Sequence, residues 1–128
     1  MKLSDTRINS ARLEAGDWVD NIPDFGDLRL KVRGIGNADY DRLRAELLRA
    51  LPRAKRNDTA AIAAFMPQLL VETVLIDWQN VDEGAYSKDL ALKFLSDPDY
   101  RPLIDAVVWA AEQVANAKVE ELGTDAKN

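Results

Sequence analysis

Apolar side chains recur with two different periods along this chain, and the change of period divides it. In "DLRLKVR", Leu28, Leu30 and Val32 alternate with Arg29, Lys31 and Arg33. A period of two predicts a strand with one buried face. Trp18 and Val19 favour a short partner strand, and "DNIPDFGD" between the two carries the turn formers Pro23 and Gly26. The pattern therefore predicts an antiparallel hairpin, Asp17–Ile22 paired with Leu28–Arg33. A lone hairpin is marginal in water, so it must lean on helices or on another chain. The opening residues, 1–12, are polar and aperiodic and read as a flexible arm.

After "GIGN" the period becomes helical. Asn37 is placed to cap a helix whose first turn holds Asp39 and Asp41. Tyr40, Leu43, Leu47, Leu48 and Leu51 fall on one face of it, and Pro52 closes it. Asp58 caps the next helix, Thr59 to about Leu75, which is apolar on nearly every side and so belongs at the centre of a domain. Pro67 in its middle should bend it or split it in two. Trp78 is expected in the turn beyond, its body closing the core and its indole N–H on a polar partner, a structural role rather than a functional one. Asp77, Asn80 and Asp82 are expected to satisfy loop amides there.

Two further helices complete the pattern. "SKDLALKFLSD" from Ser87 carries Leu90, Phe94 and Leu95, and Asp97-Pro98 breaks it. The last helix starts near Asp99 or Tyr100 and ends at Gly123. It shows two apolar stripes, one with Ile104, Val108, Ala111, Ala115, Val119 and Leu122, the other with Leu103, Val107, Ala110, Val114 and Ala117. So wide a face predicts packing on the core helix with some area left for a partner. The fold class is thus α+β and mostly α: an N-terminal hairpin followed by about four helices round a central apolar helix. The organisation is a single α-rich domain over 13–122, with a disordered tail over 123–128.

Composition narrows the chemistry. Cysteine and histidine are both absent, which excludes disulfides and thiolate metal sites and removes the side chain most used in acid–base catalysis. Neither catalytic, cofactor-binding nor metal-binding residues are expected, and the chain reads as a non-enzyme. "DWQNVDEG" does not place its oxygens in the order of a calcium loop. No apolar run approaches the roughly 18 residues of a membrane span, and the first residues lack a signal-peptide centre. The expectation is a protein that stays where it is made.

Charge is segregated. Residues 29–56 hold nine basic side chains (Arg29, Lys31, Arg33, Arg42, Arg44, Arg49, Arg53, Lys55, Arg56) against three acidic, in a chain of net charge −5. The run reads either as a solvated helix face and connector or as a docking surface for an acidic partner. No aromatic lies between Tyr40 and Phe65, so it lacks a stacking platform for single-stranded nucleic acid.

The order of segments carries a resemblance. Val74, Asp77, Trp78 and Val81 form a "V-x-x-D-W-x-x-V" segment; Tyr86-Ser87 opens a short helix; Leu95 and Asp97 give "L-x-D"; Lys31, Val32 and Arg33 supply an N-terminal "K-V-R" strand. Over about residues 14 to 120 the chain resembles the tail assembly chaperones of long-tailed, siphovirus-like phages. The resemblance implies a late phage protein of the host cytoplasm, absent from the mature virion. It would bind the tape measure protein, keep it soluble and help recruit tail tube subunits. It also implies a second, longer product made by a programmed frameshift near Lys127, through which the tail tube protein would be contacted. The partner-binding residues expected are Leu103, Val107 and Val114 on the last helix, with Arg49, Arg53 and Arg56 as a second contact; Trp78, Trp18 and Tyr86 are expected to be structural. Self-association stays open. The alternative is a small nucleic-acid-associated regulator using the basic 42–56 segment.

Overall fold

The structure, a computed structural model, describes residues 1–117. It is α+β: five α-helices and a three-stranded antiparallel sheet are described. The predicted hairpin is present, with β1 (Asp17–Val19) and β2 (Arg29–Val32) paired Trp18 to Lys31 and Val19 to Leu30. Leu30 and Val32 are fully buried while Arg29 and Lys31 stay partly exposed, as the period of two requires.

The sheet has a third strand where sequence reading placed a helix end and a turn. Helix α3 (Thr59–Thr73) stops short of Leu75, and β3 (Leu75–Gln79) pairs with β2, so Trp78 is a strand residue. Leu30 faces Trp78 and Val32 faces Leu75, with an irregularity in register between them. Residues 75 and 78 are three apart and would point to opposite faces of a regular strand. A bulge takes up the extra residue and turns both inward, leaving Ile76 exposed. That bulge erases the alternation by which the strand would have been recognised.

The opening segment also departs from its reading as an arm. It holds a 3-10 turn at Leu3–Thr6 and helix α1 (Ser10–Ala15), which the Asn9 side chain caps at Arg12 N (3.0 Å). Asn9 N donates to the Ala117 carbonyl (3.0 Å), and Gly34 N to the Leu13 carbonyl (2.8 Å). These backbone bonds tie α1 to the end of the last helix and to the loop after β2. None of this is visible in apolar periodicity, because α1 buries no residue.

Helix α2 (Ala38–Ala50) forms as expected, with Asn37 Oδ1 accepting from Tyr40 N (2.9 Å). Asn37 itself is fully buried, and its Nδ2 donates to the carbonyls of Gly34 (2.9 Å) and Thr73 (2.8 Å). One side chain thus starts α2 and closes the end of α3. Helix α3 runs unbroken through Pro67, which does not split it. Pro67 has no amide for the Ala63 carbonyl, but Ala63 is exposed and water can serve that group. Only the second half of α3 is core: Phe65, Pro67, Leu69, Leu70, Val71 and Thr73 are buried, whereas Ala60, Ala63 and Ala64 face solvent.

Helix α4 (Lys88–Leu95), capped by Ser87, buries Ala91 and Leu95. Helix α5 (Arg101–Asn116) lies under β1 and β2, and buries Ala106, Val107, Ala110, Ala111, Val114 and Ala115. It ends at Asn116, ahead of the predicted Gly123, because Ala117 turns extended and its carbonyl accepts from Asn9. Val119, Leu122, Gly123 and the tail over 123–128 lie outside the described residues.

Candidate interaction surfaces

The face of α5 expected to meet a partner is largely core. Val107 and Val114 are fully buried in the cluster that also holds Leu30 and Val32, so neither is available to a partner in this fold. The wide apolar stripe is consumed by β1 and β2, with α1 and α4 packed along it. Partly open apolar positions on α5 are Leu103, Ile104, Val108 and Trp109. Leu103 and Ile104, at its start, line two separate grooves.

The first groove, of about 260 Å³, is lined by Phe25, Leu28, Trp78, Asn80 to Glu83, Phe94, Tyr100 and Leu103. Phe94 and Tyr100 meet edge to face with centroids 4.9 Å apart. Asn80 Nδ2 donates to the Asp27 carbonyl (2.8 Å), joining the hairpin loop to the loop after β3. Asp77 Oδ1 accepts from Trp78 N (2.8 Å), an amide within β3 rather than in the expected loop. Asp82 and Glu83 give the groove exposed carboxylates.

The second groove, of about 450 Å³, lies between α3 and the segment leading into α5. Ala63, Ala64, Met66 and Pro67 form one side, Leu95, Pro98 and Ile104 the other, with Asp97, Arg101 and Asp105 also on its lining. Small side chains let another backbone come close, and Pro67 keeps the Ala63 carbonyl free of a helical partner. The apolar pattern places this whole helix at the centre of the domain and so does not reveal the groove. The signal was present: Ala60, Ala61, Ala63 and Ala64 make the first turns of the helix rich in small residues, directly after an exposed connector.

The basic run divides by use. Arg33 donates to the Glu14 carbonyl (2.6 Å) and to Asp39 (2.8 Å), and holds the Asp39 carboxyl below its ordinary value, chiefly through that hydrogen bond. Arg42 also pairs with Asp39 (2.7 Å), and Lys55 with Asp58 (3.7 Å). Arg56 donates to the carbonyls of Leu51 and Arg49 (3.4 and 3.3 Å), closing the end of α2. Arg44, Arg49 and Arg53 are exposed and make no ion pair among the described residues. Arg49 and Arg53 thus stand together at the tip where α2 turns into α3.

The three aromatics expected to be structural sit in the sheet and its flanking loop. Trp18, on the polar face of β1, lies under the Arg29 guanidinium, 4.9 Å from the ring centroid. Trp78 is buried and Tyr86 half-buried against it. Among the described residues, no group of three or more acidic side chains is placed to hold a metal ion, and no helix is long and apolar enough to cross a membrane.

No curated protein and no solved structure matches the chain. A family model does: that of the YdaY prophage protein matches residues 35–128. The match begins just ahead of α2 and takes in β3 and every later element, including both grooves' contributions from α3, α4 and α5. The chain is therefore phage-derived and belongs to the YdaY prophage protein family.

Proposed function

We propose that this prophage protein is a non-enzymatic tail assembly chaperone, which binds the tape measure protein, keeps it soluble and helps recruit tail tube subunits. The observation that carries the reading is the open apolar groove between α3 and the start of α5. Its alanine wall suits an amphipathic helix laid into a groove, a mode in which apolar anchors supply affinity and small residues permit close approach. Phage origin and the ordered motifs from Val74 to Asp97 support the same reading. The client sits against Ala63, Ala64 and Ile104 rather than against Val107 and Val114. A longer frameshifted product would present the tube-recruiting domain, and gene sequence around the codon of Lys127 tests for its slippery heptamer.

Coexpression with the tape measure protein tests the site. Wild-type chain raises that protein's soluble yield. Ala64→Arg fills the groove at a solvent-facing position, so it lowers the yield while circular dichroism and melting temperature stay as in wild type. An unchanged yield with a folded Ala64→Arg variant removes the groove as the client site.

A second reading rests on Arg44, Arg49 and Arg53, which are exposed and make no ion pair among the described residues: a nucleic-acid-associated regulator. Phosphate contacts give a steep salt dependence, so gel shifts at two salt concentrations distinguish it.

A further inference from the structure

We propose that the aromatic groove beside Leu103 is a self-recognition site, which receives the arginine-bearing α2–α3 tip of a second copy of this chain. The groove offers three rings at its open side, Phe25, Phe94 and Tyr100, with Trp78 beneath and with carboxylates at Asp82 and Glu83. That combination fits one kind of side chain best. An arginine lays its alkyl stem on apolar rings, stacks its planar guanidinium on an aromatic face and pairs its fork with a carboxylate. The rings already accept a cation: Lys93 Nζ lies 5.9 Å from the Phe94 centroid.

The same molecule carries the complement elsewhere. Arg49 and Arg53 are exposed at the tip, and neither has an acidic partner among the described residues. The tip belongs to α2 and the turn after it, which contribute nothing to the groove's lining. Helix α2 packs chiefly on α3, so its far end is held out from the sheet that frames the groove. Opposite charges on two different patches of one chain favour contact between copies. Since the patches differ, the contact is head-to-tail and leaves a free tip and a free groove at the ends of every open assembly. Affinity falls as salt screens the exposed charges. The inference does not rest on the tape measure reading, which uses the other groove.

Charge reversal tests it, with sedimentation or light scattering as the readout. The tip variant is Arg49→Glu with Arg53→Glu; the groove variant is Asp82→Lys with Glu83→Lys. All four positions are exposed, and circular dichroism checks each fold. Wild type associates with rising protein concentration at low salt, and added salt reverses this. Each variant alone stays monomeric. Mixed in equal amounts, the intact groove of the tip variant takes the intact tip of the groove variant, and association returns. Three results overturn the proposal: a wild type that is monomeric at every concentration, a variant that associates like wild type, or a mixture that fails to pair.

Discussion

Trp78 and Tyr86 meet edge to face, their ring centroids 5.2 Å apart and their planes at 86°. Each ring also fixes backbone. Trp78 Nε1 donates to the Gly84 carbonyl (2.9 Å), and the Tyr86 hydroxyl donates to the Leu75 carbonyl (3.0 Å). The loop after β3 is thereby folded back and fastened at both ends of the strand it leaves. The large aromatic at the edge of solvent is explained by this clasp: its body fills the core opposite Leu30 and its polar edge holds the loop.

Trp78→Ala should destabilise the domain by about 3–5 kcal/mol, the range for removing a large buried aromatic. Trp78→Phe keeps part of the apolar body but leaves the Gly84 carbonyl without its donor, so its loss is smaller. Denaturant unfolding of the two variants checks the order. Equal stability of Trp78→Ala and wild type would refute a structural role.

Tyr86 gives a pH dependence with a definite sign. Burial first, and the nearby Asp77 charge second, raise its phenol above the ordinary value near 10. The folded state then holds the proton more tightly than the unfolded state. Its contribution is complete below the unfolded value and is lost as pH rises through the higher folded one. Phenolate ultraviolet absorbance should show one tyrosine ionising late, and Tyr86→Phe should remove that late component.

Asn37→Ala removes the cap of α2 and leaves the Thr73 carbonyl without its donor at the end of α3. The two losses together should cost about 2–4 kcal/mol. Asn37→Ser keeps a side-chain oxygen at the cap and loses the amide donor, so comparing the two variants separates the contributions. Amide exchange should quicken at the start of α2 in Asn37→Ala and not in Asn37→Ser.

Gly34→Ala tests the docking of α1. A Cβ there would lie 2.7 Å from Leu13 Cγ and 3.2 Å from the Ala115 Cα, between α1 and α5. Overpacking of this kind costs about 1–3 kcal/mol, and displacing α1 is the readiest relief. Trypsin should cut after Arg12 faster in the variant than in wild type, where Arg12 is held by Asp17 at 2.9 Å. An unchanged rate would mean that α1 is not held by this contact.

The sequence by itself determined the features that depend on short-range physics. The alternation at Leu28 to Arg33 specified a strand, the turn formers between it and Trp18 closed a hairpin, Asn37 and Asp58 each capped the helix they were expected to cap, and the short helix began after Ser87 as expected. Those signals are local because a cap or a period needs only neighbours a few residues away. Tertiary structure decided the rest. Leu75 and Trp78 share a face only because a bulge against β2 absorbs Ile76, and no local pattern records a partner strand more than forty residues earlier. Val107 and Val114 are core rather than surface because β1, β2 and the flanking helices cover them, while the start of α3, equally apolar in sequence, is left bare. An apolar stripe states that a face avoids water. Which face finds cover inside the fold, and which stays open for a partner, depends on where distant segments come to lie.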